Sequence, residues 1–458
     1  MNNPTVSSVY EQIIRNPYGL KWNYILGGSL EKHSRKDADY AMIAGTTLDT
    51  VSNEAGMLQK WNRPWLYRKV FTIGALASVI LASIIFSMIL VNGEFTYACL
   101  NLLFFEIPPC VVPITLMVFF WEMNAPRNIS LLEMLECFFV GGVLSIFFTL
   151  LLENLNPLTL AMFAPLTEEP AKLLAAILFL KALKKRKGKV YGLNGLAIGA
   201  AVGAGFAAFE SGQYAYKVYC LTMKEYAAYL PSDVLNLFLE SAIWMDKYTF
   251  LAVGTNICMR ALATLVSHVI FCAFYSTIVA FYMAESRSIK SIFKAKEFLY
   301  SFFIAFFSHM VWNTFAEEYY WATFLVLLFV LWSGTLWAVR KSFAQLVARI
   351  TISKNTTSTP QIQGISGVHG GVLFSITHSE VLIGSSSECQ LNFPVNAVDI
   401  SPKHCKILLK DEGIYIYDLG SLAGTYINNV KCAPITEYPL HPGDVFYLGS
   451  PNQSFKVK

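Results

Sequence analysis

Stretches of about 20 apolar residues, long enough to cross the hydrocarbon of a bilayer, recur along the first three quarters of this chain. They lie near residues 70–92, 97–120, 131–152, 158–180, 191–216, 258–283, 297–316 and 318–339. Lipid offers no hydrogen bonds, so each such stretch has to satisfy its own backbone as a helix. The expected fold is a polytopic α-helical membrane protein with about eight transmembrane helices. Composition agrees: 55% of the 458 residues are hydrophobic and 14% are charged, against about a quarter charged in soluble domains. A net charge of +4 is too small to suggest nucleic acid as a partner. The nine cysteines show no CxxC or paired spacing and read as reduced thiols rather than a disulfide or zinc framework. The opening MNNPTVSSVYEQIIRNPYGLKW lacks an apolar run behind a basic start, so it does not read as a cleaved signal peptide.

Basic residues set the expected sidedness. Arg63, Arg68, Lys69, Arg127, the run KALKKRKGK (181–189), Arg287, Lys290, Lys294, Lys296, Arg340, Lys341 and Arg349 fall on alternate loops. The opposite loops hold little Lys or Arg apart from Lys217, Lys224 and Lys247. This pattern places both termini in the cytoplasm of a multi-pass protein of the cell membrane. Residues 1–69 form a cytoplasmic segment without a motif, in which Trp22, Tyr24, Trp61 and Trp65 are interfacial candidates. Residues 70–340 form the transmembrane domain. A linker over 341–371 follows, including the polar SKNTTSTPQIQGISGVHGG. From 372 to 458, alternating runs such as VLFSITH, CKILLK and GIYIYDL are divided by turn-rich stretches, the pattern of a small all-β sandwich.

Four consecutive spans carry ionisable groups. The fourth holds Glu168, Glu169 and Lys172; the glycine- and alanine-rich fifth holds Glu210; the sixth holds Arg260 and His268; the seventh holds His309 with Asn313 one turn on. Lys172 follows Glu168 by four residues, so the pair can partly neutralise each other. Single groups of this kind serve as interhelical glue, but this many in neighbouring spans exceed what packing requires and point to a functional site. Carboxylates and imidazoles activate water, either as general bases or as zinc ligands. No serine or cysteine lies beside a base in sequence, which favours activated water over a covalent nucleophile. Proton- or ion-coupled transport uses the same groups, yet the internal duplication typical of transporters is absent from the sequence. A catalytically silent membrane scaffold is a further reading.

EEPAK (168–172) resembles the EExxK motif of the PrsW family of intramembrane proteases, within the CAAX-protease and bacteriocin-processing superfamily. FAAFE (206–210) is similar to the family's FxxxE motif, the Arg260-to-His268 spacing to its arginine-then-histidine element, and HMVWN (309–313) to its last histidine motif. The resemblance spans about residues 130–340 and implies an endopeptidase that hydrolyses a peptide bond in a membrane-anchored protein. It implies Glu168, Glu169, Glu210, His268 and His309 as catalytic residues, with Lys172, Arg260 and Asn313 in support. Glu169, Glu210, His268 and His309 could hold zinc, whereas two glutamates could share the work without metal, the version favoured by the absence of HExxH. No cofactor is required by the sequence, and zinc stays open.

VLIGSSSECQL (381–391), SPKHCKI (401–407), DLGSLAGTYIN (418–428) and HPGDVFYLG (441–449) resemble, in order, the signature blocks of a forkhead-associated (FHA) domain. The resemblance implies phosphothreonine-peptide binding, with Ser401, Lys403 and Thr425 as candidate contacts and His404 as a structural residue. The family's arginine and asparagine are replaced by Ser385 and Ala423, which removes the charge-assisted fork for a phosphate. The expected partners are a membrane-anchored substrate, the lipid bilayer, and a cytoplasmic protein that docks on the FHA-like module, phosphorylated or not. Counted along the expected spans at about 1.5 Å per residue, Glu168 and His268 fall roughly 15 Å deep, and Glu210 and His309 about 9–10 Å from the outer ends of theirs.

Overall fold

The computed structural model describes residues 6–46, 48–49, 54–92, 97–153, 160–227, 245–356, 360–410 and 413–458. It divides into two compact units, Met1–Ala348 and Arg349–Lys458. The first is built on α1 (Leu66–Asn92), α2 (Ala98–Glu122), α3 (Leu131–Glu153), α4 (Pro165–Lys187), α5 (Gly192–Ala227), α6 (Lys247–Ala263), α7 (His268–Ala284), α8 (Lys296–Phe315) and α9 (Tyr320–Thr356). Among the described residues seven stretches are long and apolar enough to cross a bilayer, with α6 and α7 counting as one. The unit is a multi-pass membrane domain. Helix α4 has 23 residues, but Glu168, Glu169 and Lys172 make it too polar to join that count.

Two expected spans come out differently. The fourth, expected over 158–180, is α4, which starts only at Pro165, after a 3-10 turn over Ala161–Phe163. Proline is preorganised for the first helical position and fixes the start there, which puts Glu168 in the first turn rather than ten residues deep. Residues 154–159 lie outside the described residues. The sixth, expected as one helix over 258–283, is two. The helix gives way over Thr264–Ser267, where the Thr264 hydroxyl donates to the Arg260 carbonyl at 2.9 Å, and His268 opens the second half.

Helix α5 is the centre of the bundle. Gly195, Gly199 and Gly203, spaced by four, lie against α7 so closely that a Cβ at Gly199 would meet the Cys272 carbonyl oxygen at 2.4 Å. On another face, a Cβ at Gly205 would stand 1.9 Å from the Phe138 carbonyl oxygen of α3. Small residues thus let three backbones converge, the usual basis of helix association in lipid. The start of α5 is tied down by amides: Asn194 donates to Asn124 and Asn128 at 2.9 and 2.6 Å and accepts from the Tyr191 N–H at 2.9 Å.

The N-terminal segment is more than a lead-in. The Glu122 carboxylate at the end of α2 accepts from the backbone N–H groups of Trp65, Leu66 and Tyr67 at 2.9, 2.7 and 3.0 Å. It satisfies donors that the first turn of α1 would otherwise leave open. Trp61 donates to the Glu122 carbonyl at 2.7 Å and Trp22 to the Trp332 carbonyl at 3.1 Å. These indoles are packing and hydrogen-bonding anchors on the bundle, with Trp61 and Trp65 buried.

The linker expected over 341–371 is not one. Helix α9 continues to Thr356 because Phe343, Leu346 and Ile350 keep a buried stripe going, and the sandwich begins at β1 (Gln361–Gly364). Its two sheets run β2 (Leu373–Ser375), β1, β11 (Ser454–Val457), β10 (Val445–Leu448), β7 (Thr425–Ile427), β8 (Val430–Lys431), and β4 (Leu391–Asn392), β3 (Glu380–Gly384), β5 (Cys405–Lys410), β6 (Gly413–Asp418), β9 (Glu437–Leu440). Alternate residues of both sheets, among them Ile362, Ile383, Ile407, Ile416, Phe446 and Phe455, form the core. At its edge the buried Asp418 accepts from Thr425 Oγ1 at 2.5 Å, Ser421 Oγ at 2.7 Å, and the N–H groups of Gly420 and Ser421 at 2.8 and 2.9 Å. Burial alone would raise its carboxyl, but those donors outweigh it and hold the group below the ordinary carboxylate range.

Two outcomes are expected. Gly199→Ala pushes α5 off α7 and lowers stability by about 1–3 kcal/mol, which thermal unfolding in detergent will read. Because the Asp418 carboxyl is lowered on folding, its contribution is present above the ordinary aspartate pKa and lost as pH falls through the folded one. Asp418→Asn therefore costs the C-terminal unit about 1–3 kcal/mol at neutral pH and flattens its acid denaturation, as fluorescence-monitored melts across pH will show.

Candidate active site

The ionisable residues of α4, α5, α6, α7 and α8 meet in one buried cluster, with Lys172 at its centre. Its ammonium is fully buried and donates to Glu169 Oε1 at 2.7 Å and to His268 Nδ1 at 2.8 Å; Glu168 Oε2 stands 3.4 Å away. The same nitrogen lies 4.5 Å from the centroid of the Phe206 ring. An ammonium has no lone pair, so His268 Nδ1 is the acceptor in that contact. The other ring nitrogen then carries the hydrogen and donates to Glu210 Oε2 at 3.0 Å. Glu210 is held from the other side by Arg260, 2.6 Å away, and Arg260 also donates to Ser211 at 3.1 Å.

The two adjacent glutamates differ sharply. Glu169 is fully buried and saturated: Lys172 and His309 Nδ1 share its Oε1 at 2.7 and 2.8 Å, and Tyr275 donates to Oε2 at 3.2 Å. Glu168 faces a cavity of about 620 Å³ that Glu210, Arg260, His268, His309 and Asn313 also line. Its Oε2 lies 3.8 Å from His309 Nε2 and 3.9 Å from His268 Nδ1. With Nδ1 of His309 donating to Glu169, Nε2 is left as an acceptor. Two acceptors 3.8 Å apart can both touch one water at about 2.8 Å. Asn313 donates one amide hydrogen to the Ala161 carbonyl at 2.9 Å, which leaves its second hydrogen for the cavity.

Glu168, Glu169, His268 and His309 bring donor atoms within 4.8 Å of one another, and in type they are a zinc-ligand set. Lys172, however, is bonded to two of these donors and stands against a third. The ammonium occupies the place a dication would need, so the four residues as arranged do not fit a zinc ion. Glu210, the other expected ligand, has its Oε2 engaged by both Arg260 and His268.

All eight expected residues of the membrane site are thus brought together. Tyr275 is absent from the sequence reading, and Phe206 enters it only as the first residue of FAAFE, without a contact to Lys172. Tyr275 follows His268 by seven residues, two helical turns, and that spacing was a usable signal.

In the sandwich, the Ser401 hydroxyl accepts from the exposed Leu422 N–H at 3.0 Å, so the serine pins one loop to the next. Lys403 is paired with Glu388 at 2.6 Å on the surface. Thr425, expected to contact a phosphopeptide, does not reach the surface: it is fully buried and its hydroxyl is committed to Asp418. His404 is buried, accepting from the Ser401 N–H and donating to the Gly424 carbonyl, both at 3.2 Å; burial pushes its imidazole down in pKa.

Comparison with known proteins finds a family match in each unit. Residues 130–337 match the family described as PrsW family intramembrane metalloprotease, and residues 381–449 match the FHA domain. Protein FraH of Nostoc sp. (strain PCC 7120) is 43% identical over 54 residues, 12% of this chain and 19% of FraH; the chain thus matches about a fifth of that relative's length. The FhaA FHA domain, solved in complex with the intracellular domain of Rv3910, is 24% identical over 22% of this chain and 99% of its own, with a TM-score of 0.19. A domain solved in a study of phosphothreonine-dependent FHA interactions is 26% identical over 22% of this chain and 96% of its own, also at 0.19. The chain carries a PrsW-family intramembrane protease domain over residues 130–337, followed by an FHA domain over residues 381–449.

Proposed function

We propose that the membrane domain is an endopeptidase that cleaves a membrane-anchored protein with water activated by Glu168 and His309, without a metal. The observation that carries this is the pairing of one cavity-facing carboxylate with one imidazole acceptor at 3.8 Å, beside a second carboxylate consumed by Lys172. Water bound between Glu168 and His309 attacks the scissile carbonyl carbon as Glu168 takes its proton. The carbonyl electrons move onto oxygen, where the second Asn313 N–H can stabilise the oxyanion. The C–N bond then breaks, the proton held on Glu168 passes to the leaving amine, and a carboxylic acid and an amine are released, the acid's proton then passing to the amine to leave carboxylate and ammonium. Arg260, Glu210 and His268 form a relay of fixed dipoles that keeps Lys172 in place, and Glu169 orients His309.

The cavity is also lined by Glu153, Leu160 and Glu317, at the α3 C-terminus, ahead of α4, and just past α8. These ends lie opposite the basic loops, so with both termini cytoplasmic the bond is cut towards the extracytoplasmic end of the anchor. The FHA module then docks a cytoplasmic protein rather than presenting the bond. With Ser385 and Ala423 in place of the family residues and Lys403 paired with Glu388, its binding depends little on phosphate.

Glu168→Gln is expected to lower cleavage of single-span substrates by about 10²–10⁴-fold with unfolding temperature unchanged. Glu169→Gln breaks contacts to Lys172 and His309 and lowers both activity and stability, so side-by-side assays and melts separate the two roles. Activity should survive chelators, and purified protein should lack stoichiometric zinc; metal analysis alongside the cleavage assay decides this, and chelator-sensitive turnover restored by zinc would refute the metal-free route. For the FHA module, titration with paired phosphorylated and unmodified peptides should give affinities within a few-fold, whereas a strong phosphate preference would count against phosphate-independent binding.

A further inference from the structure

Outside the catalytic cluster, helix α2 carries one more carboxylate at membrane depth. Leu102, Leu103 and Ile107 are exposed on the flank of the bundle, and Glu106 is exposed among them. Its carboxylate rests on the backbone of Gly212 in α5: a Cβ there would stand 3.0, 3.1 and 3.2 Å from its Oε2, Oε1 and Cδ. Only a residue without a side chain leaves it that seat. Among the described residues no cation pairs with Glu106, and the remaining residues of the chain contain no Lys, Arg or His. Pro108 and Pro109 lie within the same helix. Lacking N–H groups, they withhold the donors that the Phe104 and Phe105 carbonyls would receive. A carboxylate and two carbonyls deprived of their helical donors therefore gather at one level of α2, an acceptor-rich spot on an apolar flank.

This spot borders a groove that leads to the active site. Helix α5 packs against both α2 and α3: Tyr216 lies 6.1 Å from the Phe105 ring, and Phe209 lies 5.9 Å from the Phe138 ring. Between those contacts, Gly212 and Gln213 belong to the face of α5 turned to the gap. A cavity of about 510 Å³, lined by Thr149, Gln213, Tyr216 and Lys217, reaches Glu168 and Glu210, with Tyr216 joining it to the α2 side. The Thr149 hydroxyl in that cavity is buried and has no partner among the described residues.

We infer that the groove between α2 and α3 seats the membrane anchor of the substrate, and that a Lys or Arg of that anchor pairs with Glu106. The inference rests on the reading of the Glu168 cluster as the site that acts on a membrane-anchored protein. Two observations select this occupant: the unmatched negative charge calls for a cation on a segment that itself lies in lipid, and Tyr216, which packs on Phe105 beside Glu106, also lines the cavity that reaches Glu168 and Glu210. Glu106 lies ahead of the residues matched to the PrsW family, so the contact is a feature of this chain outside the matched region.

The test uses the full chain with Glu168→Gln, so that binding is read without cleavage. The probes are fluorophore-labelled Leu/Ala helices of about 22 residues with a single lysine roughly a third of the way from the extracytoplasmic end, or leucine in its place. In lipid nanodiscs, energy transfer to the labelled chain should show the lysine probe binding about tenfold tighter. Glu106→Gln, nearly isosteric and exposed, should abolish that advantage, and Glu106→Lys should transfer it to a probe carrying glutamate. Equal binding of the lysine and leucine probes, or a lysine advantage that survives Glu106→Gln, overturns the inference. Failure of the peptidase reading appears separately, as absence of cleavage by the chain that retains Glu168.

Discussion

One buried ammonium holds the ionisable cluster of the membrane domain together. A lysine in the interior of a membrane protein is tolerable only if its charge and its hydrogens are met. Lys172 meets a carboxylate, an imidazole and an aromatic face, and stands against a second carboxylate. Each of those partners is in turn fixed by something else. The Lys172–His268 bond assigns the tautomer of His268, and Arg260 and Glu210 hold that ring; Glu169 assigns the tautomer of His309 and leaves its free nitrogen towards Glu168. The lysine therefore acts as a resident counterion, and the geometry around it separates a glutamate bonded within the core from one that faces the cavity.

The same arrangement bears on the name of the family. Buried glutamates and histidines within ligand distance look like a metal site when listed as residues. Read as bonds, two of the donors are already spent on a cation that cannot leave the chain. A zinc ion would need Lys172 to swing out of a fully enclosed position, against the desolvation of its charge.

The sequence made the cluster legible because lipid makes ionisable residues conspicuous: Glu168, Glu169, Glu210, His268 and His309 stood out against apolar runs, and they converge. What it hid was the difference between neighbours. Glu168 and Glu169 are indistinguishable in composition and differ only by the roughly 100° between successive helical residues, which sends one to a cavity and the other into the core. The break over Thr264–Ser267 and the start at Pro165 depend on local hydrogen bonds that hydropathy does not register. In the sandwich, the blocks of residues were readable, but Thr425 shows the limit: alternation along β7 turns its side chain inward to Asp418. Residues 361–364 looked like a tether because their strand is short and is stabilised by pairing with β11, nearly a hundred residues away.

The length of α5 has a consequence for the medium in which the protein works. Its 36 residues span about 54 Å, against roughly 30 Å of hydrocarbon. An antiparallel companion of similar length, α6 with α7, lies alongside, so neither can shorten itself by bending without opening the glycine contacts. The surplus has to emerge into water, and Lys217 and Lys224 near the far end of α5 suit that position. Glu210 sits midway along, where the hydrocarbon boundary approaches or recedes as acyl chains shorten or lengthen. A bilayer of different acyl length therefore meets this helix pair at a different level relative to Glu210.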